Sequence, residues 1–149
     1  MKLFNIYWWQ NILDYPFSLY RECKFFIQRG KRGYSDRDCW DIDFYLAQTI
    51  TEMLKDLKEN QNGIPLWKKD ESEEKAQKRW DNILESMIFT FICAEKIADS
   101  DILYTTEDKR KEYEELSKAT TIDLMTKEEC EEYRKGWKYF SKHFHCLWN

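Results

Sequence analysis

Glycine and proline are scarce in this 149-residue chain, four and two respectively. A many-stranded fold with a turn about every ten residues is poorly served by so few turn formers. Histidine occurs only at positions 143 and 145, so a Cys/His nucleophilic pair has little to draw on. His143 and Cys146 can share a helix face, but two ligands do not make a tetrahedral zinc site. No GxSxG, HExxH, P-loop or glycine-rich dinucleotide loop occurs, so the enzyme classes built on those motifs have no support. None of the five cysteines forms a CxxC pair and their number is odd, which fits buried thiols in a reducing compartment better than a disulfide framework. Long apolar runs are missing too. The stretch Leu3–Trp9 is soon broken by Gln10, Asn11 and Asp14 and is too short and polar for a signal peptide or a membrane span. These absences set the expectations of no catalytic residues, no metal, no cofactor and no membrane partner.

Aromatic residues are abundant, with seven Trp, nine Tyr and nine Phe. The length suits one domain with a real core. Net charge is −4, mild enough to argue against a general nucleic-acid coat. The charge is uneven: residues 1–40 carry seven Lys/Arg and four Asp/Glu, and residues 41–149 carry seventeen and twenty-four.

Residues 3–13 are apolar and fit a short helix or a strand. Beyond them, periodicity predicts helices over 16–30, 36–59, 73–99 and 127–147, with a charged helical stretch over 106–119. Pro16 suits a first helical turn and Gly30 a helix stop. Ser35 with Asp38 resembles a capping box that would start the second helix, and Thr126 with Glu129 forms a second box. The expected fold class is all-α: a compact bundle of four to six helices in a single domain, 1–149. Its expected core is Trp40, Phe44, Leu54, Trp80, Leu84, Met87, Phe91, Trp137, Phe140 and Phe144, each on an apolar stripe.

Two clusters carry chemistry. The carboxylates Asp36, Asp38, Asp41 and Asp43 could hold a divalent cation or do acid–base work, against the plainer reading of capping and surface charge. Asp43 lies on the apolar line of its helix, so it is expected to be a buried polar residue paired with Arg37 or Arg32. Arg29, Lys31, Arg32, Tyr34 and Arg37, with neighbouring aromatics from residue 20 onward, form a basic-aromatic segment and the first candidate for a contact surface. The competing reading is a loop that merely caps two helices.

Arg29-Gly30 through Leu46, Gly63-Ile64-Pro65, Trp80-Asp81-Asn82-Ile83-Leu84 and the closing Tyr133…Gly136-Trp137…Phe140…Phe144…Leu147-Trp148 occur together. In this the chain resembles a family of small proteins encoded by tailed bacteriophages and prophages, whose pattern reads roughly RGWSDxDxWxLDxYLA. The likeness covers about residues 25–66, 80–98 and 133–148, and Tyr34 stands where the family often has Trp. The resemblance implies an origin and no mechanism. The expected function is stoichiometric protein binding in the host cytoplasm, against a host or phage protein. By analogy with small phage accessory proteins, inhibition of a host defence such as a CRISPR effector fits that class. One alternative is a nucleic-acid-binding accessory protein using residues 21–37. The other is a metal-dependent enzyme using the Asp36–Asp43 cluster.

Overall fold

The computed structural model describes residues 16–65, 72–106, 109–120 and 122–147; the apolar stretch 3–13 lies outside them. The fold is all-α, with five α-helices and one pair of two-residue strands among the described residues. The chain falls into two compact units, Met1–Ile42 and Asp43–Asn149.

In the first unit, helix α1 spans Pro16–Arg32 and starts on proline, whose fixed φ suits a first turn. It runs through Gly30 and stops at Gly33, which has φ +83° and donates its N–H to the Arg29 carbonyl at 2.9 Å. The stop therefore belongs to the glycine that takes the left-handed conformation. Ser35 and Asp38 make the reciprocal bonds of a capping box: Ser35 N–H to Asp38 Oδ2 at 2.7 Å and Asp38 N–H to Ser35 Oγ at 3.4 Å. They open a run of turns over 36–40, and helix α2, Ile42–Glu59, starts six residues later than the pattern suggested.

In the second unit α2 supplies Ala47 and Leu54 to a core shared with helix α3, Glu73–Ala98. From α3 come Trp80, Ile83, Leu84, Met87 and Phe91, all buried. These recur at three- and four-residue steps, the spacing of one helix face. After α3 the chain forms β1 (Ile102–Leu103), α4 (Arg110–Ala119) and β2 (Asp123–Leu124), with β1 and β2 parallel and Ile102 opposite Asp123. A parallel pair needs a crossover, and α4 provides it. Helix α5, Lys127–His143, begins on the Thr126/Glu129 box and ends in a 3₁₀ turn, Phe144–Cys146. A second cluster of Cys93, Met125 and Cys130 lies where α3, β2 and α5 meet.

The interface of α3 and α5 decides which residues of α5 point inward. Gly136 is buried, and a Cβ placed on it would lie 2.3 Å from the Ser86 carbonyl oxygen. Buried Thr90 sits between the helices, its Oγ1 2.9 Å from the Ser86 carbonyl and 3.1 Å from the Tyr133 carbonyl. The inward line of α5 is therefore Cys130, Gly136 and His143. Trp137 and Phe144, expected in the core, are 40% and 57% exposed, because close helix approach at glycine turns them to the edge. Trp40, also expected in the core, is 85% exposed; it lies in the turn before α2 and so on no helical stripe.

Candidate functional site

The basic segment singled out in the sequence forms one charged knot against α1. Arg29 makes a two-pronged contact with Asp38, Nε to Oδ2 at 2.9 Å and Nη2 to Oδ1. Arg32 bonds Asp36 Oδ1 and, through Nε, the Tyr34 carbonyl at 3.0 Å, with its guanidinium 4.6 Å from the Tyr34 ring centroid. Lys24 lies 3.1 Å from the other Asp36 oxygen, and Gln28 both donates to and accepts from residue 36. Arg37 reaches back to Glu22 at 3.7 Å. Arg29, Lys31, Arg32, Tyr34 and Arg37 are all exposed, but three of the four cations are engaged in holding the turn.

The buried carboxylate is Asp38, 7% exposed, and not Asp43, which is exposed and, among the described residues, accepts only its neighbour's N–H, from Phe44 at 3.0 Å. The expectation of a buried, arginine-paired Asp43 is corrected on that point. Because α2 begins at Ile42, Asp43 occupies its first turn, where a carboxylate favours the positive helix end without burial. The Arg29 guanidinium, with help from the Ser35 amide and hydroxyl, holds the Asp38 carboxyl down to about 2 despite its burial. The Gln28 amide, Arg32 and Lys24 hold Asp36 well below the usual carboxylate range. Carboxylates so engaged have little left to offer a cation, and no group of three or more metal-binding side chains occurs among the described residues.

What the knot leaves free is the opposite side of α1. Glu22, Phe25, Gln28, Arg29 and Arg32 fall on the side of the helix that holds the turn, and Leu19, Tyr20, Cys23, Phe26 and Ile27 fall on the other. That second set is exposed, Tyr20 by 74% and Phe26 by 70%, and Trp40 adds an exposed ring in the turn. The sequence contains this stripe at i, i+1, i+4, i+7 and i+8, but amphipathic spacing alone reads as core.

A second feature was not foreseen from sequence. In the second unit a cleft of about 790 Å³ opens between α3 and α5, lined by Lys75, Lys78, Arg79, Lys135, Lys142 and His143, with Asn82, Ile83 and Tyr139. Burial first, and then the Lys142 and Arg79 charges, push the His143 imidazole below its ordinary value.

No family model, curated protein or solved structure matches the chain. No helix among the described residues is long and apolar enough to cross a membrane.

Proposed function

We propose that this chain is a small phage-encoded interaction protein that acts by stoichiometric binding to a host or phage protein in the bacterial cytoplasm, with inhibition of a host defence as the consequence of binding. One observation carries the reading: α1 presents Leu19, Tyr20, Phe26 and Ile27 on one exposed face while the Arg29–Asp38 and Arg32–Asp36 pairs hold its other face to the following turn. With exposed Cys23 between them, Leu19, Cys23 and Phe26 stand at i, i+4, i+7 and Tyr20, Cys23 and Ile27 at i, i+3, i+7, the spacing by which an amphipathic helix enters a partner's hydrophobic groove. Aromatic side chains dominate the energetics of such contacts, and exposed Lys31, one turn past Ile27, supplies a polar rim. The resemblance of residues 25–66, 80–98 and 133–148 to phage proteins supports the host setting.

The test is capture from bacterial host lysate with the full chain as bait, followed by native mass spectrometry. A one-to-one complex with the parent, lost in a Phe26→Asp/Ile27→Asp variant that melts like the parent, is the expected result. A complex that survives this variant but is lost on Lys31→Glu/Arg32→Glu moves the contact to the basic turn. No complex at all overturns the binding reading.

A further inference from the structure

We infer that the cleft between α3 and α5 is a binding site for a small anion carrying two or more phosphate groups. Its cations are placed by helical spacing. Lys75, Lys78, Arg79, Asn82 and Ile83 recur along one face of α3, and Lys135, Tyr139, Lys142 and His143 along one face of α5. Two carboxylates of α3 are directed away from the cleft. Asp81 accepts from Gln61, just past the end of α2, and from Gln77 of α3 itself, both at 2.9 Å, and Glu85 takes Lys58 of α2. On α5, Glu132 accepts the Ser86 hydroxyl at 2.6 Å and already pairs with Lys135 of the cleft wall at 3.0 Å, so the cations left for a ligand are the other lysines. Among the described residues, Lys75, Lys78 and Lys142 are bridged to no carboxylate and no carboxylate lines the cleft.

Several like charges gathered in one concavity repel each other, and a multivalent anion relieves that repulsion. Clustered ammonium groups suit phosphoryl oxygens. The volume lies within the usual range for small-molecule sites, roughly 300–1,000 Å³. The walls are fixed in advance by the glycine contact of Gly136 with Ser86 and by Thr90, which lowers the ordering cost of binding. The Tyr139 ring, with Lys135 5.7 Å from its centroid, offers an aromatic surface to any ring borne by the ligand.

The experiment titrates the full chain with inorganic pyrophosphate, with ATP and with a single-stranded oligonucleotide in about 0.15 M salt, where weak surface attraction is screened. Binding is read by calorimetry and by amide shifts. Saturable shifts clustered at residues 75–83 and 135–143 are expected, with affinity weakened about tenfold or more in Lys78→Glu/Lys142→Glu. Reversal of two cations on α4, Lys111→Glu/Lys118→Glu, is expected to leave binding unchanged. Tighter binding of ATP than of pyrophosphate identifies a nucleotide; equal binding identifies the phosphates alone. If the double reversal does not fold, Lys75→Gln and Lys142→Gln singly serve the same comparison. No binding of either anion up to about 10 mM overturns the inference, as does binding indifferent to positions 78 and 142, or binding to single-stranded oligonucleotide alone.

Discussion

Gly136 of α5 approaches Ser86 of α3 so closely that a methyl group on Gly136 would lie 2.3 Å from the Ser86 carbonyl oxygen, an atom of the backbone that cannot rotate away. Gly136→Ala is therefore expected to destabilise the fold by about 1–3 kcal/mol, the usual cost of overpacking. Gly30→Ala is the matched control. Nothing lies within 4 Å of a Cβ there, and it sits inside α1, so alanine is expected to stabilise the helix by about 0.5–1 kcal/mol. Thermal melts of the two variants should move in opposite directions.

Asp38 and Asp43 should separate in the reverse order to that suggested by their helical phase. Asp38→Asn weakens a charged contact with Arg29, an effect of about 1.5–3 kcal/mol on the local turn, whereas Asp43→Asn should change stability by no more than about 0.5 kcal/mol. The parent turn should also be acid-sensitive. Its carboxyl is held at about 2, below the unfolded value of 3.8, so the unfolded chain takes up the proton first. The stabilisation is complete above that unfolded value and is lost as pH falls toward 2. Hydrogen exchange at the Ser35 amide, which donates to Asp38 Oδ2, reads both effects.

His143 gives a second pH dependence, in a higher range. Its folded value is lowered from 6.5 by burial, so the unfolded chain binds the proton more readily and stability declines as pH falls through and below 6.5. An NMR titration should place the His143 midpoint below 6.5. The drop in Tm between pH 7 and pH 5 should be smaller in His143→Gln.

Trp80 and Trp40 should differ sharply. Trp80 is 1% exposed at the centre of the larger core, and Trp80→Ala is expected to cost about 3–5 kcal/mol. Trp40→Ala is expected to stay within about 0.5 kcal/mol in a denaturant melt while blue-shifted Trp fluorescence is retained.

The thiols should react in two classes. Cys23 and Cys39 are exposed, whereas Cys93 and Cys130 are buried, and burial pushes the Cys93 thiol up to about 11. Brief alkylation followed by peptide mass mapping should label residues 23 and 39 and spare 93 and 130.

The helices were legible where a stripe was also a buried face. On α3 the run Ala76, Trp80, Ile83, Leu84, Met87, Phe91 is both periodic and buried, so its limits and core residues agree with the pattern to within a residue. Thr126 and Glu129 make the capping box that their spacing suggests. On α2 the same reasoning predicts a helix from residue 36, capped by Ser35, instead of from Ile42. The Ser35/Asp38 bonds that look like a helix start also satisfy a turn, and nothing local distinguishes the two. That shift took Trp40 off the helix and left Asp43 in an exposed first turn.

The candidate surfaces were less legible. The stripe of α1 has the same spacing as a core face, and only the placement of the turn against the other side of the helix shows it to be exposed. The cleft joins residues 75–83 to residues 135–143, and its character depends on α3 directing Asp81 to Gln61 and Glu85 to Lys58.

The sequence by itself determined the all-α class, the extents of α1, α3 and α5 to within a few residues, and the core line of α3, because helical periodicity, caps and scarce turn formers are local signals. Only the tertiary structure decided which face of α5 is inward, which aspartate is buried and where positive charge collects. Those depend on a glycine that permits close approach, on an arginine nine residues from its carboxylate, and on the partners that claim each helix's acids, and none of these is a property of neighbouring residues.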